Sequence, residues 1–134
     1  MERVRTLAIL MVLLTAFCLS GCAAVVLGGA AAATGTGVYV YVEGDMKTDY
    51  HYSFEDVWTA CESVIEKMNA LDVVKDKDVG KGKIQAVVDG EKVWFTAKYK
   101  ADELTSLTVR VGFLGDKVAS QRLHDMVADY LKNR

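Results

Sequence analysis

Few residues in this chain could carry covalent or acid–base chemistry. The 134 residues include three cysteines and two histidines. His51 and His124 are far apart and do not form the HExxH spacing that puts two zinc ligands on one helix face. The GxSxG turn that presents a serine nucleophile does not occur either. The sequence therefore predicts a protein that is not an enzyme and that uses no metal or cofactor.

Two short segments imitate binding loops but differ from them at essential positions. Gly80-Lys81-Gly82-Lys83 suggests a phosphate loop, yet Ile84 stands where the Walker pattern needs Ser or Thr. Asp76 and Asp78 resemble the start of a calcium loop, but position twelve is Val87 rather than a bidentate Glu. The first segment is better interpreted as a turn, and calcium binding is not expected.

The N-terminal residues contain a secretory signal that ends in a reactive cysteine. Arg3 and Arg5 precede an apolar stretch, Leu7 to Phe17, that is too short to cross a bilayer comfortably. Leu19-Ser20-Gly21-Cys22 then resembles a bacterial lipobox, whose cysteine thiol accepts a diacylglycerol before cleavage. We expect residues 1–21 to be removed and Cys22 to be lipidated. In the alternative, an uncleaved N-terminal helix anchors the chain, and both readings place the C-terminal part outside the cytoplasm.

A lipid on Cys22 predicts where the protein resides and what it contacts. A mature bacterial lipoprotein typically carries three acyl chains, whereas a single chain binds membranes only marginally. Ala23 stands where an aspartate would resemble an inner-membrane retention signal, so we expect an outer-membrane protein that faces the periplasm. The expected partners are the membrane and an envelope protein. A net charge of -2 argues against a nucleic-acid partner.

Residues 22–37 connect the lipidated cysteine to the rest of the chain. Residues 23–37 contain only Ala, Val, Leu, Gly and Thr. As a flexible tether they would reach about 20 Å. Their glycines also resemble the small-residue faces on which helices pack in membranes, and we favour a surface-lying or partner-packed segment over a second span. A single domain is predicted from residue 38 to residue 134, with Cys61 as its one remaining thiol, in the core.

The pattern of apolar residues in this domain alternates between strand and helix periods. Ser53 and Asp56 form a capping box for a helix that runs to about Asn69, and Asp116 caps a second helix that runs to about Leu131. The predicted strands and turns are a hairpin of Val38–Glu43 and Met46–Tyr52 about Gly44-Asp45, an edge strand or loop at Asp72–Val79, a hairpin of Lys83–Val88 and Lys92–Lys100 about Asp89-Gly90, and a strand containing Leu107, Val109 and Val111.

This order of elements predicts an α+β fold, an antiparallel sheet of about five strands with two helices on one face. The residues expected to face the core include Tyr99 on the sheet and Val118 on the second helix. The opposite face would then present Lys92, Trp94, Thr96, Lys98, Thr108 and Arg110. Such a face could bind an anionic or aromatic partner, or it could simply be solvated, as one side of an antiparallel sheet commonly is.

Arg110 to Asp116 forms an Arg-Val-Gly-x-x-Gly-Asp motif between the last strand and the last helix. Together with the lipobox, the Ala/Gly-rich segment and the Tyr-Val-x-Gly run at Tyr41 to Gly44, it resembles a family of small bacterial lipoproteins of unknown function. The resemblance implies a lipoprotein but no activity. Gly112 and Gly115 permit backbone angles closed to other residues, so the motif can be wholly structural. Alternatively, Phe113 and Leu114 form an exposed apolar docking loop.

These observations predict a lipid-anchored, non-enzymatic envelope protein that acts as an interaction or structural module. The alternative is a periplasmic ligand- or cell-wall-binding protein that uses the sheet face around Trp94 and Arg110.

Overall fold

The computed structural model describes residue 1, residues 3–9 and residues 38–134. The lipobox, Cys22 and the Ala/Gly-rich segment lie outside the described residues. Residues 3–9 are helical. Within the described ranges, no helix has the length and apolar character needed to cross a membrane.

Residues 38–134 form a six-stranded antiparallel sheet with two helices. In chain order the elements are β1 (Val40–Val42), β2 (Asp45–Tyr50), α1 (Phe54–Lys67), β3 (Leu71–Asp78), β4 (Lys81–Val88), β5 (Glu91–Ala101), β6 (Leu104–Val111) and α2 (Lys117–Lys132). The predicted α+β class is confirmed. The sheet has six strands rather than about five.

The strand order is β1-β2-β6-β5-β4-β3. Helix α1 carries the chain from β2 to β3 at the far edge, and three hairpins then bring it back until β6 pairs with β2. Both helices pack against each other and cover one sheet face. Ile84, Phe95 and Leu107 on that face are at most 1% exposed, so the core lies between sheet and helices.

Two of the hairpin turns use a pair of residues with positive φ. Asp89 and Gly90 have φ of 51° and 83°, as a type I′ turn requires, which confirms the predicted turn. The first turn was predicted one residue too late. Glu43 and Gly44 occupy it with φ of 51° and 91°, while Asp45 already pairs with Val42.

Both predicted helix caps are confirmed. The Ser53 side chain accepts a hydrogen bond from the Asp56 N–H at 3.1 Å, and Asp116 accepts one from the Ala119 N–H at 2.9 Å. Each cap satisfies an N–H that has no partner within the helix.

Two predicted core positions are wrong. Tyr99 keeps the alternation of β5 but lies near the end of the strand, next to Gly80, and is 54% exposed. Val118 is 78% exposed because it falls on the same helix face as Arg122 and Asp125, which are also exposed.

Candidate functional site

The two motif segments singled out in the sequence meet at one corner of the domain. Met46 pairs with Val109 across β2 and β6, so the turn before Met46 lies beside the end of β6. We call the meeting of residues 41–45 and 110–116 the motif corner. The fold therefore brings together the two short runs on which the family resemblance was based.

Arg110 fastens the motif corner. Its Nη1 donates hydrogen bonds of 3.0 Å to the Glu43 carbonyl and 3.0 Å to the Asp45 carboxylate. Its Nη2 donates one of 2.6 Å to the Phe113 carbonyl. The guanidinium thus links the β1–β2 turn to the β6–α2 loop, and its rigid fork suits such divergent acceptors.

The backbones of the turn and the loop touch at two glycines. A Cβ added to Gly115, which has φ of +81°, would lie 2.2 Å from the Gly44 Cα. The Tyr41 hydroxyl donates a hydrogen bond of 2.9 Å to the Gly115 carbonyl. Only a residue without a side chain fits between these segments, which gives the glycines of the motif a structural role.

The tip of the β6–α2 loop is held in place but presents apolar side chains to water. The Gly112 N–H donates to the Lys92 carbonyl, and the Asp116 N–H donates to the Val111 carbonyl, both at 2.8 Å. Phe113 and Leu114 are nevertheless 86% and 84% exposed. The motif therefore combines a structural clamp with an exposed apolar dipeptide.

The residues of the predicted binding face lie on the side of the sheet that the helices leave uncovered. Trp94 is partly buried and pairs with Arg110 across β5 and β6. Lys92 and Lys98 are exposed elsewhere on β5. A depression of about 400 Å³ is lined by Asp45, Lys83, Trp94, Thr96, Thr108, Arg110 and Phe113. The structure thus brings Trp94 and Arg110 together around one depression, and neither Lys92 nor Lys98 lines it.

Two of the cations on this face form ion pairs within the domain. Arg110 forms an ion pair with Asp45, and Lys100 forms one of 2.7 Å with Asp49. The hydrogen bond from Lys100 holds the pKa of Asp49 below its usual range. Lys83 contributes a further cation to the depression, next to an aromatic ring suited to stacking.

The sequence reasoning missed a buried polar network under β2. The Nε2 atom of His124 lies 2.9 Å from the Met46 carbonyl, and its Nδ1 atom lies 3.0 Å from the Tyr50 hydroxyl. Because a carbonyl only accepts, Nε2 carries the proton, and Nδ1 and the His124 carbonyl share the single proton of the Tyr50 hydroxyl at 3.0 Å and 3.1 Å. Burial lowers the pKa of His124 to about 4. The signal that could have found it is helical spacing, since His124 follows Ser120 by four residues and precedes Val127 by three.

Cys61 lies in the core, where the sequence placed it. Its thiol is free and 1% exposed, and burial raises its pKa. A thiol with a raised pKa is a poor nucleophile at neutral pH. Within the part of the chain that the structure describes, no three residues that could ligate a metal lie together.

The fold and the motif corner define an α+β domain whose last strand and last helix are joined by a clamped loop with an apolar tip. The chain belongs to the family described as protein of unknown function (DUF3568), which matches residues 5–130. The match includes the whole apolar stretch from Leu7 to Phe17 and the domain as far as residue 130. A search of curated proteins gave no match.

Proposed function

We propose that this protein is a lipid-anchored, non-enzymatic module of the bacterial cell envelope, attached through Cys22 to the outer membrane and facing the periplasm. It acts by binding a partner rather than by catalysing a reaction. The observation that carries this proposal is the pair Phe113 and Leu114, which stand exposed on a loop that Arg110 and Gly115 hold in place.

A fixed apolar tip is suited to binding. Burying a Phe or Leu side chain fully is worth about 1.5–3 kcal/mol, so the tip gains free energy wherever a partner covers it. Because the loop backbone is already fixed by hydrogen bonds, little further ordering is needed on contact.

The buried reactive groups of the domain support a role without catalysis. The thiol of Cys61 and the imidazole of His124 both lie in the core, and each ring nitrogen of His124 already has a partner. Their contribution is to packing and to hydrogen bonding within the fold.

The anchor is tested by metabolic labelling with an alkyne fatty acid. We expect the full-length chain to be labelled and recovered with membranes. Cys22→Ala should lose the label. Cys61→Ala is the matched control, because it removes the only cysteine among residues 38–134 and should leave the label unchanged. A label that survives in Cys22→Ala would refute the proposal.

The predicted location is tested by separating inner and outer membranes on a density gradient. The wild-type protein should be found with outer membranes. Ala23→Asp, which introduces the residue that resembles a retention signal, should move it to the inner membrane. Recovery of the wild type with inner membranes would contradict the outer-membrane location while leaving the lipid anchor in place.

A second candidate function is binding of a cell-wall glycan or another ligand at the depression beside Trp94. The partly buried indole ring in a depression of about 400 Å³ favours it, whereas the internal bonding of Arg110 weighs against an anionic ligand there. Soluble cell-wall fragments should then change the tryptophan fluorescence. Trp94→Phe is the control, because it leaves only the buried Trp58 and should abolish the change.

A further inference from the structure

We infer that the Phe113–Leu114 tip contacts the lipid surface of the membrane that holds the anchor, so that the domain rests on this membrane at the motif corner. The inference rests on the proposed function, because it takes Cys22 as the point of attachment. It adds the partner and the orientation of the domain.

The length of chain between the anchor and the domain keeps the domain close to the membrane. Val38, the first described residue of the domain, follows Cys22 by 16 positions. Even fully extended, such a segment spans at most about 58 Å. The first residue of the domain therefore cannot be farther than this from the lipidated residue.

The chain enters the domain through β1, and the residue that follows this strand is linked to the apolar tip. Thr48 donates a hydrogen bond of 3.2 Å to the Val38 carbonyl and so fixes the start of β1 to the sheet. Glu43 follows five residues later, at most about 17 Å along an extended strand. The carbonyls of Glu43 and Phe113 then accept hydrogen bonds from the same guanidinium. Val38, where the chain enters the domain, therefore lies within about 17 Å of the turn to which the tip is clamped.

Other exposed apolar residues extend the same corner. Val40 and Val42 on β1 are 52% and 58% exposed, and Val118 in the first turn of α2 is 78% exposed. The neighbouring charges are mixed, with Lys117 next to Asp116. Binding to the membrane interface increases with the apolar area that is buried there, so these exposed apolar side chains add to the area of the tip.

The domain offers a matched control at its opposite edge. Val79 is 98% exposed in the turn between β3 and β4, and β3 is the edge strand farthest from β1. If exposure alone decided contact with lipid, position 79 would behave like position 114. If orientation decides, only position 114 contacts lipid.

The test is photo-crosslinking in cells from a photoreactive amino acid at position 114, with the same residue at position 79 as control, in the full-length lipidated protein. Adducts are identified by mass spectrometry. We expect phospholipid adducts from position 114 at roughly five times or more the yield from position 79, because apolar contact concentrates lipid at the tip. Equal yields, or a discrete protein adduct from position 114, would overturn the inference.

The same samples are assayed for the fatty acid on Cys22. A lipidated protein without lipid adducts at position 114 overturns this inference alone and leaves the proposed anchor standing. A protein without fatty acid overturns both.

Discussion

Arg110 joins the β6–α2 loop to Glu43 in the β1–β2 turn, 67 residues before it in the sequence. Its three hydrogen bonds end on two backbone carbonyls and one carboxylate, so the guanidinium holds the fold as well as lining a depression. At the scale of single residues, the sequence predicts that Arg110 could bind an anionic ligand. In the structure, Arg110 also stabilises the fold.

Arg110→Ala should lower the free energy of unfolding by about 1–2 kcal/mol. The three hydrogen bonds of the charged guanidinium would together contribute a larger free energy than this. Because Asp45 and Arg110 are partly exposed, however, solvent screens their ion pair. Urea unfolding followed by tryptophan fluorescence measures the change. Arg122→Ala, at an exposed position of α2, should change stability by less than about 0.5 kcal/mol. Equal effects of the two substitutions would argue against the clamp.

His124 should make stability depend on pH. Its pKa falls from 6.5, the ordinary value, to about 4 in the fold, so the folded chain binds this proton more weakly than the unfolded chain. The stabilisation is complete above pH 6.5 and is lost as the pH falls toward 4, by about 3 kcal/mol in all. The groups that face the ring are Tyr50, the Met46 carbonyl, Tyr39 and Asp125.

Urea unfolding between pH 4 and pH 8 measures this dependence. His124→Gln removes the titrating ring and should flatten the profile between pH 6.5 and pH 4, although its overall stability should be lower. A wild-type profile that is already flat over this interval would show that the imidazole is not buried as the structure places it.

At the scale of elements, the β1–β2 turn and the β6–α2 loop depend on the absence of side chains where they touch. Gly115→Ala should destabilise the fold strongly, by about 2 kcal/mol more than Gly90→Ala. The two glycines have nearly the same backbone, with φ of +81° and +83°, but a Cβ at Gly90 meets nothing within 4 Å. The comparison by thermal or urea unfolding therefore separates the steric clash from the cost of the left-handed conformation. Similar losses for both variants would mean that the turn and the loop do not touch.

The elements that local chemistry specifies were predictable from the sequence. Ser53 and Asp116 cap their helices with a side chain three residues from its partner, and Asp89-Gly90 is a turn that only a few residue types favour. Tyr99 was placed wrongly because periodicity shows which residues share a face but not where the covering elements end. Val118 was placed wrongly because it shares the exposed face of α2 with Arg122 and Asp125. The first turn shifted by one residue because Glu43, a residue not favoured there, takes a positive φ.

The contacts that make the motif corner could not be predicted from local patterns. Residues 41–45 and 110–116 each carry a local motif, but their contact depends on the pairing of β2 with β6. The helix and three strands between them in the chain make this pairing possible. From the sequence, an exposed apolar loop at Phe113 and Leu114 was one of two alternatives, and a wholly structural motif was the other. The hydrogen-bond acceptors of Arg110 can be identified only from the structure.

At the scale of the whole molecule, we propose one domain held at a membrane through a lipid on Cys22, with Cys61 and His124 buried and the apolar tip exposed. The proposed location, orientation and contact surface of the domain all depend on the lipid anchor at Cys22.

The intact mass of the protein extracted from bacterial membranes tests this claim most directly. We expect a chain that begins at Cys22 and carries acyl groups on that residue, with residues 1–21 removed. A mass equal to that of all 134 residues without modification would contradict it.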